Sequence, residues 1–203
     1  MKIICIGRNY AEHAKEMNAA VPTEPVFFLK PDTALIKDNQ PFYYPEFSKE
    51  IHHEVELVLK ITKPGKNIDV QFAHKYYDEI GIGIDFTARD LQAKCKEKGL
   101  PWEKAKAFDG SAPIGQFINK KELFDLDNIN FSLAINGNIV QKGDTKDLLF
   151  SFDAVIAYVS KFITLKTGDL IYTGTPEGVG PVAVGDKLEA FIENKRLLAF
   201  EIK

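Results

Sequence analysis

The stretch Ile51-His52-His53-Glu54-Val55-Glu56-Leu57-Val58-Leu59 is a run of strand-forming residues with two glutamates at its centre. Side chains alternate between the two faces of a β-strand, so Glu54 and Glu56 share one face and Val55 occupies the other. Two neighbouring carboxylates repel each other, and a protein core does not accept them without compensation. A divalent cation is one compensation, because Mg²⁺ prefers oxygen ligands. The alternative is a half-buried strand with a solvated acidic face.

The composition limits the classes of protein to which this chain can belong. The chain has 203 residues, 45% of them hydrophobic and 27% charged, which suits one globular domain over residues 1–203. Its 26 basic and 29 acidic residues are mixed along the sequence, so we expect no nucleic-acid partner. The apolar runs are too short to span a bilayer, and we expect no membrane association. Two cysteines without a CxxC motif indicate reduced thiols and a cytoplasmic protein, and a mitochondrial address stays open.

Strands dominate the predicted elements. The dipeptide Asn136-Gly137 lies between two apolar runs and predicts a type I′ hairpin. A second hairpin is predicted at 193–196. The other predicted strands, rich in β-branched and aromatic residues, are 2–6, 26–29, 53–61, 81–86, 131–135, 169–173, 187–192 and 197–202.

Three helices accompany them. One is predicted from Thr87 to Lys98, ended by Gly99, and a short one over residues 10–17. The third follows Ser151, which is a typical N-cap residue. Its apolar stripe is Val155, Ile156, Val159, Phe162 and Ile163. The fold class predicted from these patterns is α+β and β-rich.

A third carboxylate stands where an apolar, glycine-containing strand ends. Asp85 follows that strand directly, and catalytic groups often stand at such strand ends. With Glu54 and Glu56 it would complete a three-carboxylate site that leaves octahedral positions for water and substrate. The alternative is that Asp85, or Thr87, caps the following helix. No cluster of Cys or His residues predicts zinc or iron.

Two further patterns carry candidate chemistry. His13 and Glu16 are three residues apart, which places them on one helical face, and a Glu-oriented His is a common general base. The alternative is an exposed amphipathic helix. Three carboxylates with one dication leave a negative charge, so an acidic substrate needs nearby cations. The candidate cations are Lys30, Arg89, Lys104 and Lys106.

The glycine-rich stretch 173–180 contains neither GxxxxGK[ST] nor a complete GxGxxG, so nucleotide binding has no support. Thr175 precedes Pro176 and is expected to be extended, which would present its hydroxyl or N–H to a ligand.

Together and in this order, these segments resemble the fumarylacetoacetate hydrolase family, and most closely its short acylpyruvase and oxaloacetate decarboxylase members. The segments that carry the resemblance are 7–13, 28–31, 53–57, 85–90, 98–102 and 173–180. The resemblance implies a mixed β-sandwich-like roll and a homodimer. It further implies Mg²⁺ or Mn²⁺ held by Glu54, Glu56 and Asp85.

The resemblance also assigns roles to other side chains. It implies a catalytic dyad of His13 and Glu16, with Lys106 rather than Lys104 as the active-site lysine. The positions implied to contact substrate are Arg8, Lys30, Arg89, Gln92 and Thr175.

The implied activity is hydrolysis of a C–C bond in acylpyruvates such as acetylpyruvate or fumarylpyruvate. Pyruvate would be released from this small 2-oxo acid substrate, with His13 activating water. The same site would decarboxylate oxaloacetate without that water. The alternatives are a main activity as oxaloacetate decarboxylase, or as an isomerase or dehydratase of related 2-oxo acids. A catalytically silent metal-binding protein is the non-enzyme alternative.

Overall fold

The computed structural model describes residues 1–17 and 19–203, and within them it contains fourteen strands and five α-helices. The strands are β1 (Ile3–Gly7), β2 (Val26–Lys30), β3 (Leu35–Ile36), β4 (Ile51–His53), β5 (Val55–Ile61), β6 (Tyr77–Ile84), β7 (Thr87–Ala88), β8 (Ala112–Asn119), β9 (Asn130–Ile135), β10 (Asn138–Asp144), β11 (Leu170–Tyr172), β12 (Gly180–Pro181), β13 (Lys187–Ile192) and β14 (Lys195–Glu201). The helices are α1 (Ala11–Glu16), α2 (Val70–Ala73), α3 (Arg89–Lys98), α4 (Glu103–Lys106) and α5 (Phe152–Phe162).

Two large sheets make up the architecture. The first has seven strands in the order β2-β1-β11-β5-β6-β8-β3, with parallel pairing between β1 and β11 and between β3 and β8. The second is antiparallel, in the order β10-β9-β13-β14. A small third sheet has the order β12-β4-β7. This strand-rich arrangement with few short helices confirms the predicted fold class.

One hydrophobic core lies between the two large sheets. Leu57 and Ile82 from the first sheet and Leu133 and Ala190 from the second are buried in the same cluster. Burying such side chains is the main favourable term in folding, at about 25 cal/mol per Å² of apolar surface.

Helix α5 packs three of the five residues of its predicted stripe into this core, and Ile163, beyond the helix end, is only partly buried. Val155, Ile156 and Val159 are buried, and Ser151 caps the helix by accepting a hydrogen bond from Ala154 N–H. The prediction is wrong for Phe162, which is 59% exposed. Helix α5 ends at this residue, so its ring leaves the core-facing side.

The predicted hairpins are present. Asn136 and Gly137 have φ of 52° and 82°, the positive values that a type I′ turn needs. The second turn is shorter than predicted, because β13 ends at Ile192 and β14 already begins at Lys195. Helix α1 confirms the short helix near the N-terminus.

The acidic strand is broken at its first glutamate. The predicted strand over 53–61 divides into β4, which pairs with β7 and β12, and β5, which pairs with β6 and β11. Glu54 lies between them, and its carbonyl accepts a hydrogen bond from Asp85 N–H at 2.8 Å. The chain therefore passes from one sheet to another at Glu54.

Helix α3 begins two residues later than predicted. Thr87 and Ala88 form β7 instead, which pairs with β4. Neither Asp85 nor Thr87 caps the helix, because its N-cap is Ala88 and no side chain bonds there. Gly99 ends the helix with φ of 62°, as predicted.

Candidate metal centre and active site

Three carboxylates that are distant in sequence meet at one point. Glu54, Glu56 and Asp85 each offer an oxygen within 4.8 Å of the other two, and they are 5%, 1% and 1% exposed. The pairing of β5 with β6 sets Glu56 opposite Gly83, and Asp85 follows the end of β6. The solvated acidic face, which was the alternative from sequence, is excluded because all three side chains are buried.

Two cationic side chains hold part of this cluster. Lys106 Nζ donates to Glu54 Oε2 and to Asp85 Oδ2, both at 2.8 Å. Arg89 Nη2 donates to Glu54 Oε1 at 2.7 Å, and Thr87 Oγ1 donates to the same oxygen at 3.0 Å. Glu54 is thus the carboxylate with the most complete set of partners.

The remaining oxygens are less well satisfied. Glu56 Oε2 accepts one hydrogen bond, from Gly174 N–H at 2.7 Å. Asp85 Oδ1 is buried and accepts no hydrogen bond within the described residues, although Lys30 Nζ lies 2.8 Å away. Asp85 Oδ1 is therefore held by an ion pair and not by a hydrogen bond.

The charges in the cluster are unequal. Burial raises the pKa of Glu56 well above its usual value, and the charges of Asp85 and Glu54 raise it further. Burial would also raise the pKa of Glu54, but Lys106 and Arg89 outweigh it and hold that pKa below its usual range. Burial lowers the pKa of Lys106, while Asp85 and Glu54 raise it to about 12 overall.

The donor set fits a hard divalent cation. It offers carboxylate oxygens alone, and the ionisation of one glutamate, Glu56, is opposed by its neighbours. Hard cations such as Mg²⁺ and Mn²⁺ take ligands of this kind. A dication would relieve the repulsion that raises the pKa of Glu56.

His13 of the predicted dyad lies on the wall of the same cavity, and Glu16 bonds it from behind that wall. His13 is 6% exposed and its Nδ1–H donates to Glu16 Oε2 at 3.2 Å. Glu16 Oε1 accepts from Gly178 N–H at 3.1 Å, which ties α1 to the glycine-rich loop. With Nδ1 committed to Glu16, Nε2 is the ring nitrogen available to exchange a proton.

Most of the predicted substrate-contacting residues share this narrow cavity of about 40 Å³ with the carboxylates. Those on the wall are Arg8, Arg89, Gln92 and Thr175, together with Lys106. Lys30 is not on the wall, and its side chain is fully buried. Its ammonium bonds the carbonyls of Phe86, Lys106 and Ser111. The structure therefore places Lys30 behind Asp85, where it supports the cluster and does not face the cavity.

Sequence reasoning missed a buried bridge beside the site. Gln141, on β10, accepts from His53 Nδ1–H at 2.8 Å and from Val55 N–H at 3.1 Å. Its Nε2 donates to Thr175 Oγ1 and to Pro176 O, both at 3.0 Å. No local pattern marks Gln141, because its partners come from distant segments. Burial lowers the pKa of His53, which suits a neutral ring in this position.

Lys96 and Trp102 are among the other wall residues that were missed. Lys96 follows Arg89 and Gln92 at helical spacing, so the periodicity of α3 was a usable signal for it.

The sequence matches the family description "Fumarylacetoacetate (FAA) hydrolase C-terminal" over residues 2–202. It is 44% identical over 201 residues to oxaloacetate tautomerase FAHD1, mitochondrial, from Mus musculus, with 99% of this chain and 91% of that protein covered. Oxaloacetate tautomerase YcgM from Escherichia coli (strain K12) is 45% identical over 197 residues, which cover 97% of this chain and 90% of that protein.

A solved structure is similar over the whole chain. Fumarylpyruvate hydrolase from Pseudomonas aeruginosa, in complex with Mn²⁺ and pyruvate, superimposes with a TM-score of 0.93 at 37% identity. The match covers 100% of this chain and 89% of that one.

Within the described residues, no helix has the length and apolar character needed to cross a membrane. The predictions of a cytoplasmic location, a single domain over 1–203 and a homodimer stay predictions.

Proposed function

The chain belongs to the fumarylacetoacetate hydrolase family, and on this premise we propose that it is a divalent-metal-dependent enzyme that interconverts the enol and keto forms of oxaloacetate. The observation that carries the proposal is that His13, bonded to Glu16, lines one narrow cavity together with three buried carboxylates. The similarity to two oxaloacetate tautomerases at 44% and 45% identity supports this choice among the reactions of the family.

Glu54, Glu56 and Asp85 would hold the cation, Mg²⁺ or Mn²⁺. When bound, it supplies Lewis acidity that favours the enolate form of a 2-oxo acid. Lys106 donates hydrogen bonds to two of these carboxylates, and its positive charge would stabilise the enolate charge that develops beside them. Arg89 and Gln92 are already joined, by a hydrogen bond from Arg89 Nη1 to Gln92 Oε1 at 2.7 Å, and together position the substrate.

The proton transfer is assigned to His13. Tautomerisation removes a proton from the enol oxygen and adds one to C3, so the net change is one proton moved between two atoms of the substrate. His13 Nε2 exchanges the C3 proton, and Glu16 holds the ring in the tautomer with hydrogen on Nδ1. This geometry suits either direction of the reaction.

Hydrolysis of acylpyruvates is a second candidate, and the similarity to the Mn²⁺–pyruvate complex of fumarylpyruvate hydrolase supports it. In that reaction water adds to the distal carbonyl and the C3–C4 bond breaks. The bonding electrons form a pyruvate enolate, which is then protonated at C3. His13 would take the proton from water instead of from C3.

One experiment tests both candidates. Chelator-treated protein is supplied with Mg²⁺, Mn²⁺ or neither. The decay of enol-oxaloacetate and the release of pyruvate from acetylpyruvate are then followed against protein-free controls. We expect metal-dependent acceleration of enol decay. Full activity after chelation, or no acceleration with either metal, would contradict the proposal, and pyruvate release without enol decay would favour the second candidate.

A further inference from the structure

The cavity carries more positive charge than the carboxylate cluster needs. Among the described residues, four cationic side chains line it, Arg8, Arg89, Lys96 and Lys106, against three carboxylates. Lys106 and Arg89 are engaged with the carboxylates. With a bound dication the wall would hold a surplus of three positive charges, which is more than one substrate carboxylate balances.

Arg8 and Lys96 are the two cations without a carboxylate partner. Neither side chain makes an ion pair or a hydrogen bond in the part of the chain that the structure describes. Arg8 also has φ of 58°, a left-handed conformation that is uncommon outside glycine. Strained backbone of this kind is found at ligand sites, where it aims a side chain.

Helix α3 carries three of the residues that line the cavity. Arg89, Gln92 and Lys96 lie on one helical face, with Arg89 against the carboxylates. Lys96 is attached about 10 Å further along the helix axis. Helical side chains lean toward the N-terminus, which brings the Lys96 side chain back toward Arg89 and onto the cavity wall.

The surroundings of Lys96 leave its ammonium group without an anionic partner in the described residues, beside two other cations. Its Nζ lies 5.8 Å from the centre of the Trp102 ring, which also lines the cavity. Burial lowers the pKa of Lys96, and the charges of Arg89 and Arg8 lower it further. An anion placed among these three cations would relieve their mutual repulsion.

We propose that Lys96 and Arg8 form a subsite for the distal carboxylate of a dicarboxylic 2-oxo acid, across the cavity from the carboxylate cluster. This inference rests on the proposed function and assigns the residues that bind the second carboxylate of the substrate. The 2-oxo acid end of the substrate lies at the Glu54–Glu56–Asp85 cluster, and a second carboxylate lies between Lys96 and Arg8. Substrates with an uncharged distal group then lose this contact.

The test compares two non-reacting probes of equal chain length, 2-oxoglutarate and 2-oxopentanoate, which differ in the distal carboxylate. Their binding to the Mn²⁺-loaded protein is measured by calorimetry for the wild type and for Lys96→Met, which removes the charge and keeps an unbranched side chain beside Trp102. Lys94→Met, on another face of α3, is the matched control, and Lys96→Arg restores the charge.

We expect Lys96→Met to weaken 2-oxoglutarate binding roughly 10-fold, as for loss of a charge-assisted hydrogen bond, with 2-oxopentanoate unchanged. Lys96→Arg should recover most of the loss, and Lys94→Met should show none. Equal weakening of both probes, an unchanged affinity for 2-oxoglutarate, or a wild type that does not distinguish the probes would overturn the subsite.

Enol-oxaloacetate decay, measured on the same preparations, separates this inference from the proposed function. If the wild type turns over enol-oxaloacetate and Lys96→Met keeps the full preference for 2-oxoglutarate, the subsite alone is overturned. A Lys96-dependent preference for 2-oxoglutarate without turnover of any 2-oxo acid supports the subsite and overturns the proposed activity.

Discussion

The carboxylates of the cluster differ in the neighbours that stabilise their charges. Lys106 bonds two carboxylates at once, and Arg89 completes the shell of Glu54. Glu56 has a single backbone N–H, from Gly174, and no cationic partner within hydrogen-bonding distance in the described part of the chain. An isolated buried carboxylate is costly unless it is paired or protonated. Glu56 is therefore the residue whose charge state responds most to a bound cation.

The proposed role of His13 can be tested separately from that of the carboxylate cluster. His13→Gln should slow enol–keto interconversion by roughly 10²- to 10⁴-fold, the usual contribution of a positioned general base. Decarboxylation of oxaloacetate should keep most of its rate, because loss of CO₂ forms the enolate without prior proton removal. The two rates are measured as enol decay and as pyruvate formation.

A matched control lies on the same helix. Glu12 is exposed and pairs with Lys15, so Glu12→Gln should leave both rates unchanged. Equal losses of both reactions in His13→Gln would show that His13 has a positional or structural role.

Several site residues were predictable one by one from local pattern. Alternation along a strand placed Glu54 and Glu56 together, and the end of a strand marked Asp85. The location of Lys30 was not predictable, because its burial depends on how the strand that carries it packs against the segment around Ser111. Sequence pattern indicates which face of a strand or helix a residue occupies, whereas how deeply its side chain is buried depends on the neighbouring elements.

At the level of elements, the β9–β10 hairpin supports the site through one side chain. Gln141 spans from His53 and Val55 beside the metal cluster to Thr175 in the glycine-rich loop. It thus joins three segments that are far apart in sequence. Gln141 is a positioning residue, since it acts through Thr175 and does not line the cavity.

Replacing this bridge should cost both stability and substrate affinity. Gln141→Leu leaves the buried Val55 N–H and His53 Nδ1–H unpartnered, so the free energy of unfolding should fall by about 2 kcal/mol or more. KM should rise more than kcat falls, because Thr175 loses its orienting partner. Urea unfolding and steady-state kinetics measure these effects.

Gln116→Leu, an exposed position on β8, is the control and should change neither property. An unaltered unfolding free energy in Gln141→Leu would contradict the bridging role.

The glycine-rich loop is constrained at Gly174. Its φ of +107° is strained for any L side chain, and an added Cβ would lie 2.6 Å from Asn9 Cβ. Gly174→Ala should therefore destabilise the protein by about 2 to 3 kcal/mol. It should also weaken metal binding, because Gly174 N–H is the hydrogen-bond donor to Glu56.

A substitution at Gly185 separates the effect of backbone strain on stability from the effect of the clash with Asn9. It has φ of +97° with open space around it, so Gly185→Ala shares the backbone strain without the clash. Unfolding free energies and Mn²⁺ titrations of both variants make the comparison. If both variants lose stability equally and retain metal affinity, the clash with Asn9 does not affect stability and the hydrogen bond to Glu56 does not affect metal binding.

Element boundaries show where sequence reasoning reached its limit. The Asn136-Gly137 turn and the Gly99 helix end were correct, because both depend on local backbone preference. The break at Glu54 and the short strand β7 were missed, since both exist only through pairing with other strands. Thr87 and Ala88 favour a helix locally, and tertiary pairing with β4 overrides that preference.

At the scale of the whole molecule, strand order was beyond local sequence pattern. β5 lies between β11 and β6, and β1 pairs in parallel with β11, at the other end of the sequence. These long-range pairings bring Thr175, which follows β11, onto the same cavity as Asp85 and His13. Only the chain-wide family resemblance anticipated this convergence, because it carries information about the complete fold.

The stability of the molecule should depend on metal and pH through Glu56. Its pKa is raised in the folded metal-free protein, so folding favours the protonated form. This contribution is greatest below the unfolded pKa of about 4.3 and is lost as pH rises toward the folded value. Without metal at neutral pH, Glu56→Gln should therefore be at least as stable as the wild type and should show a smaller loss of stability between acidic and neutral pH.

With metal bound, the wild type should be more stable than Glu56→Gln, because a cation binds the folded wild type and stabilises the ionised Glu56. At a metal concentration 100 times Kd the wild type gains about 2.7 kcal/mol, whereas Glu56→Gln, with one carboxylate fewer, gains less. Urea unfolding of both proteins at acidic and neutral pH, with chelator or with Mn²⁺, measures the four combinations. Destabilisation of the variant in chelator at every pH, or equal gains from Mn²⁺, would show that Glu56 is a structural residue and that the metal is held elsewhere.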